Sequence, residues 1–169
     1  NEYKELVYLS NKDTSIRYYQ AGKGNKNSSS ENCLRLNPLV FPQNSDITIN
    51  EHIDRICALF NAAFPMYAAM PQVLEEAIIQ AYEKCGWDIT TSSNIKESPV
   101  FPTLIDVAEL IPIIVEDAGY EYESKSTYIG ALTTRLKSLC RGSLGYTFLV
   151  NTNQETSASE LFDESCVIN

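Results

Sequence analysis

The run Phe60–Asp88, FNAAFPMYAAMPQVLEEAIIQAYEKCGWD, constrains the fold more than any other part of the chain. Two prolines, Pro65 and Pro71, interrupt a sequence of helical period. A proline lacks the amide hydrogen and its ring clashes with the preceding turn, so neither belongs inside one continuous helix. Pro65 is therefore expected to stop a first helix, and Pro71 suits the first turn of a second. Upstream, Ile49, Ile53, Ile56, Cys57, Phe60 and Phe64 recur at helical spacing. Thr48 and Glu51 form the Thr-x-x-Glu pattern of a capping box at the start of that helix. Downstream, Leu74, Ala77, Ile78 and Ala81 form a second buried stripe, Glu75 and Glu76 are expected to complement the N-terminal dipole, and Gly86 is a natural left-handed cap. Trp87 is expected to staple that helix end to its neighbours.

A polar loop, Thr90 to Pro99, leads to a second helical pair. Thr103 and Asp106 can cap a third helix whose face carries Leu104, Val107, Ile111, Ile114 and Ala118. Pro112 falls inside it, which predicts a kink or a break, and Gly119 ends it. A fourth helix is expected over Ser124–Arg141 with the stripe Ile129, Leu132, Leu136, Leu139 and Cys140, closed by Gly142. Arg135, Lys137 and Arg141 lie near its C-terminal end, where cations are favoured.

The flanks are of a different kind. NEYKELVYL reads as helix or strand. SIRYYQAG, Ser15 to Gly22, is β-branched and aromatic and reads as a strand ending at glycine. Residues 22–32 form a polar loop, and CLRLNPLVFP is an extended edge or crossover segment because of Pro38 and Pro42. GYTFLVNT is read as a strand, SASELF as one helical turn capped by Ser157 and Glu160, and SCVIN as a buried strand.

The 169 residues suit one domain with a sizeable core. A net charge of −9, if evenly spread, repels phosphate and disfavours nucleic-acid binding by this chain alone. The five cysteines never form a Cys-x-x-Cys pair, which is neither zinc spacing nor a disulfide framework. They read as reduced, mostly buried thiols of a cytoplasmic protein. No run reaches the ~18–20 apolar residues of a membrane span, and no leader pattern opens the chain.

No catalytic set emerges. His52, the only histidine, stands among Glu51 and Asp54 and reads as a solvated surface residue. Gly22-Lys23-Gly24 lacks the spacing of a phosphate loop. Glu75 and Glu76 are adjacent and point apart on a helix, so they do not make a carboxylate pair. The tyrosines Tyr3, Tyr8, Tyr18 and Tyr19 read as packing residues.

Several strings together carry a family resemblance: LRLNPLVFP, NEHIDRICALFNAAFPMYAAMPQVLEEAIIQAYEKCGWD, FPTLIDV, YIGALTTRLKSL and the closing CVIN. In this order they resemble one segment of the HerA/FtsK-type DNA-pumping P-loop ATPases, a branch that includes the ATPases of conjugation and type IV secretion. The resemblance covers nearly the whole chain. It implies a Leu-Asn-Pro crossover leading from a P-loop α/β core into an all-helical insertion. The nucleotide loop would lie upstream of Asn1 and the acidic metal-water strand downstream of Asn169. Pro112 departs from the family pattern, because the corresponding helix usually runs through.

The expected fold is mainly α with a small β element: two helical hairpins inserted in scraps of a P-loop α/β core. Residues 1–46 would be flanking core strands and the crossover loop, 47–142 the insertion, and 143–169 a return segment with a core strand. The expected core centres on Phe60, Phe64, Leu74, Ile78, Ile114, Leu132 and Leu136. The resemblance transfers no catalytic, cofactor-binding or metal residue. It places ATP and Mg²⁺ in the parent motor, and implies partners among neighbouring ring subunits, accessory proteins and, through the parent, DNA. The candidate substrate contacts are Arg135, Lys137 and Arg141, with Lys23 and Lys26 in the polar loop. The rival expectation is a stand-alone helical adaptor that binds a protein. A small hydrolase is the weakest reading, because a nucleophile–base pair is missing.

Overall fold

The computed structural model describes residues 5–6, 8, 16–22, 33–41, 46–148, 156, 161 and 165–168. The fold is mainly helical with small β elements. In chain order these are β1 (Ile16–Tyr19), α1 (Ile49–Ala63), α2 (Met70–Lys84), β2 (Trp87–Asp88), β3 (Ser93–Asn94), α3 (Leu104–Asp117), α4 (Tyr122–Leu139), α5 (Gly142–Phe148) and β4 (Ser165–Ile168). Strands β1 and β4 pair in parallel, Ile16 opposite Ser165 and Tyr19 opposite Ile168. Strands β2 and β3 make a minimal antiparallel hairpin, with β3 inside the expected polar loop and β2 just before it.

The helix starts follow the sequence chemistry. Thr48 accepts a hydrogen bond from the amide of Glu51, whose carboxylate accepts in return from the amide of Thr48. Thr103 and Asp106 repeat the same reciprocal box at α3. Helix α2 starts at Met70 with Pro71 in its first turn. Glu75 and Glu76 therefore lie beyond that turn, and the expected dipole role fails because the helix field decays within the first turn.

Helix α3 packs between α2 and α4, and α1 lies along α2. The centre is filled by Leu74, Ile78, Tyr82, Val107, Ile111, Val115 and Leu136, all nearly inaccessible. Phe64, expected in the core, is only half-buried at its edge. Pro112 does not break α3. Its cost of about 3 kcal/mol is opposed by Leu110 and Ile111 on one side and Ile114 and Val115 on the other, all buried. The fourth helix begins before Ser124 and ends at Leu139, so Arg141 lies past its end.

GYTFLVNT is not a strand where it is described: Gly145–Phe148 belong to α5. Its aromatic and β-branched content is a weak preference that tertiary contacts override. Here the backbone turns at Gly142, φ 57, straight into a new helix. The SCVIN strand forms, but Ile168 is half exposed rather than buried. Of NEYKELVYL only Glu5, Leu6 and Tyr8 are described, as helical-turn residues; the SASELF cap, Lys23 and Lys26 lie outside the described residues.

Replacing Leu136 by alanine should cost about 2–5 kcal/mol, because a 2%-exposed leucine leaves a cavity that a packed three-helix contact refills poorly. Chemical denaturation measures it, and an unchanged midpoint would rule out this packing.

Candidate functional site

The crossover segment Leu34–Phe41 is where the extended flank meets the helices. Asn37 is buried, and its side chain bonds in two directions. Its amide nitrogen donates to the Pro102 carbonyl at 2.8 Å, and its oxygen accepts from the Leu39 amide at 3.0 Å. The buried Tyr82 hydroxyl donates to the Leu39 carbonyl, and burial pushes its ionisation far up. The Pro38 carbonyl meets His52 Nε2 at 2.9 Å. Each of the first three helices is thus tied to one short segment: α1 through His52, α2 through Tyr82, and the entry to α3 through Pro102. Phe41 closes the joint by packing edge-on against Trp87 and Phe101. The Trp87 ring also stacks on Phe101, with its Nε1 donating to the Val100 carbonyl, so the expected staple forms.

His52 is accordingly half-buried rather than a solvated surface residue. The sequence could not show this, because its partner is a backbone carbonyl fourteen positions away. Burial lowers its pKa below the usual 6.5, the Pro38 bond opposes that, and Arg55 adds to it. On the other side of the crossover, Thr147 of α5 accepts from the Gly22 amide at 2.9 Å, and its carbonyl accepts from the Leu36 amide at 2.8 Å. Thr156 brackets Arg35 differently: its hydroxyl accepts from the Arg35 amide, and its own amide donates to the Arg35 carbonyl.

The three candidate contact residues do not share one face. Arg135 lies with its guanidinium 6.0 Å from the centroid of Phe64, in cation–π range. One of its terminal nitrogens is buried without a hydrogen-bond partner. Arg135 therefore braces the half-buried Phe64 at the α1–α2 turn. Lys137 and Arg141 point elsewhere, into an open surface depression of about 440 Å³ with Thr133, Thr134 and Ser138. That depression has cations and hydroxyls on its walls and no carboxylate, so it favours anionic groups.

A second depression, of about 560 Å³, lies between α2 and α3 and includes Lys84, Cys85, Phe101, Asp106, Leu110 and Ile113. Asp106 is committed to the α3 cap, and burial pushes the Cys85 thiol up, away from its nucleophilic form. The Cys57 thiol is raised to about 11 by burial and by the nearby Glu75 and Asp54. Cys140 is buried, whereas Cys33, Cys57, Cys85 and Cys166 are only partly so, which corrects the expectation of mostly buried thiols. Among the described residues no three potential ligands cluster around a metal position, and no helix is long and apolar enough to cross a membrane.

Sequence reasoning placed FPMYAAMP at a break but missed how open it is. Tyr67 is 63% exposed and Leu59 61%. Ala68 turns the chain at φ 50, a left-handed conformation that favours glycine. A second apolar stripe at helical spacing, Ala58, Leu59 and Ala62, was the available signal.

Neither a protein-family model nor a curated protein matches the sequence. Among solved structures, the fold is similar to VirB4 of Thermoanaerobacter pseudethanolicus, with a TM-score of 0.61 and 18% sequence identity. The similarity covers 99% of this chain and 39% of that one, so this chain spans well under half the length of the protein it resembles. At this identity the likeness establishes a shared fold.

Two outcomes follow from the crossover joint. Asn37→Ala should destabilise by about 1–3 kcal/mol, because the Leu39 amide and the Pro102 carbonyl lose a buried partner; a denaturation midpoint equal to the native one would contradict this. The folded pKa of His52 is depressed, so the unfolded chain takes up its proton more readily. The stability from neutral His52 is present above 6.5 and is lost as pH falls through the lower folded value. Lowering the pH through this window should destabilise the native chain more than a His52→Gln chain, and equal losses in urea titrations would exclude the mechanism.

Proposed function

We propose that the chain is part of an ATP-driven, DNA-translocating motor of the HerA/FtsK and conjugation-type branch, in which residues 47–142 form a mainly helical insertion, interrupted by the short β2–β3 hairpin, that contacts protein or substrate. The observation that carries this reading is the ordered string from the Leu-Asn-Pro crossover through FPMYAAMP to Gly86-Trp87-Asp88, found on a fold shared with VirB4 over 99% of the chain. The crossover joint supports it: a helical insertion that works with a motor core must be held at a fixed angle to that core, and Asn37, His52 and Tyr82 hold it there.

Such motors bind ATP and Mg²⁺. The described residues do not fit either group: no set of three ligands converges, and Gly22-Lys23-Gly24 has the wrong spacing for a phosphate loop. In this reading ATP and Mg²⁺ belong to other parts of the motor, and this chain supplies positioning and contact. The setting is the cytoplasm, with neighbouring motor subunits or accessory proteins as partners and DNA engaged through the motor. Lys137 and Arg141 are the contact residues, with Arg135 in support behind Phe64. Two cations, one of them half-buried, on a chain of net charge −9 are too few for tight duplex binding, so contact with protein is favoured over contact with DNA.

The chain by itself should release no phosphate from ATP with Mg²⁺ and DNA present, and the reading frame that encodes it should carry a Gly-x-x-x-x-Gly-Lys-Ser/Thr loop before this segment. Turnover by the purified chain, abolished by a point change within it, would overturn the first expectation. A complete reading frame without that loop would overturn the motor.

A further inference from the structure

The carboxylates of this chain are unevenly placed. From Ser124 to Gln154 the sequence holds four cations, Lys125, Arg135, Lys137 and Arg141, and no Asp or Glu. The whole chain carries −9, so the remainder carries −13 (−9 less +4). The α4 dipole accounts for cations in the last turn of that helix. It does not account for an acid-free run that starts in the first turn of α4 and passes through α5.

The four cations have different duties. Lys125 pairs with Glu116 at 2.6 Å, and Arg135 lies over Phe64. Lys137 and Arg141 share the open depression with Thr133, Thr134 and Ser138. Neither of these two forms an ion pair among the described residues. The hydroxyls of Thr133 and Ser138 donate to the carbonyls of Ile129 and Arg135. Lys137, Arg141 and the Thr134 hydroxyl are therefore the donors the depression leaves free. Apolar surface adjoins them. The Gly145 amide donates to the Arg141 carbonyl at 3.2 Å, so Arg141 opens a helical turn, and Leu144 in that turn is 43% exposed.

We infer that this depression receives an acidic segment of a partner protein, with carboxylates on Lys137 and Arg141 and an apolar side chain against Leu144. The planar Arg141 guanidinium suits a carboxylate in bidentate fashion, whereas Lys137 acts as a point charge. Exposed ion pairs contribute little alone, so the charges select the segment while the contact at Leu144 adds apolar burial. The size of the site decides against a duplex. Thr133 to Lys137 is one turn of α4 and Arg141 follows just past the helix end, so the cationic footprint is about 10 Å long. A duplex laid on it would extend over the acidic remainder and be repelled, whereas a short acidic segment fits within it. The inference rests on the protein-contact role proposed above for Lys137 and Arg141; the motor itself is tested separately, by the reading frame.

An amide NMR titration of the isotopically labelled chain tests it, with an acetylated Glu-Glu-Leu-Glu-Glu peptide as the probe. The peptide should shift amides between Thr133 and Leu144 with a Kd of about 1 mM or tighter at low salt, the weak end of specific binding. A Gln-Gln-Leu-Gln-Gln peptide should leave them in place. Lys137→Gln/Arg141→Gln should weaken binding by about tenfold, and Leu144→Ser by a smaller factor that added salt does not change. The unshifted remainder of each spectrum shows that the variant is folded. Shifts that are absent or fall elsewhere would overturn the inference, as would equal binding by the double variant or equal binding of the glutamine peptide. Inorganic phosphate matching the peptide would reduce the site to a simple anion pocket. Tighter binding of a short DNA duplex at the same amides would give it to nucleic acid. Self-association of the chain, lost in the double variant, would give it to a second copy. Each of these three results also overturns the inference.

Discussion

The Asn37 side chain ties the crossover segment to the entry of α3 through two buried hydrogen bonds. One bond turns its own segment, by fixing the Leu39 amide; the other reaches the residue just before the α3 cap, at Pro102. Both of its polar ends are used, at 5% exposure, so the amide satisfies itself and two backbone groups that would otherwise be buried without partners. Pro38 fixes the backbone directly after it. The carbonyls of Pro38 and Leu39 are thereby aimed at His52 and Tyr82. A polar joint of this kind is directional in a way that an apolar contact is not. Burial of Phe41 against Trp87 and Phe101 adds contact area, but the hydrogen bonds fix the angle at which the helices leave the extended flank.

The helical part has a second, softer junction at the opposite end of α1. Phe60 and Phe64 stack there, and the Arg135 guanidinium covers Phe64 from α4. Arg135 leaves a nitrogen buried without a partner, which is unfavourable for a cation. The π face of Phe64 offsets part of that cost. The two ends of α1 are thus held by different physics: directional bonds to backbone at the start, and a desolvated cation over a ring at the finish. The turn between α1 and α2 is the less constrained of the two, with Tyr67 and Leu59 largely open to solvent.

Much of the helical part was legible because proline and capping chemistry act locally. Pro65, Pro71, Thr48–Glu51 and Thr103–Asp106 each decide a boundary through atoms a few positions apart, and the structure bears these out. Readings failed where a distant partner decided. Pro112 offered a kink or a break because its cost is local; the break does not occur, since packing against α2 and α4 outweighs that cost. His52 looked solvated because its neighbours in sequence are acidic, whereas its environment is set by Pro38 and by the Phe41 ring tilted beside it. GYTF looked like strand, and its Thr147 is instead a helical residue that binds both Gly22 and Leu36. The split among Arg135, Lys137 and Arg141 was readable in principle: positions 135 and 137 lie on different sides of a helix. Reading them as one set of charges near a helix end hid that difference.

The distribution of exposed residues on α1 carries the last step. A helix whose only task is to cover a core needs one apolar stripe, and α1 has it in Ile49, Ile53, Ile56 and Phe60, all buried. Its outer C-terminal half is nonetheless apolar, while its outer N-terminal half is charged. Solubility alone would favour charge along the whole outer face. Core packing cannot explain the pattern, because those side chains touch solvent. The same argument applies to Gly130 on α4, where local helix stability would favour alanine. The joint at Asn37 then has a consequence beyond stability. By fixing the start of α1 and the entry to α3 relative to the extended flank, it fixes the direction in which those helices leave the flank.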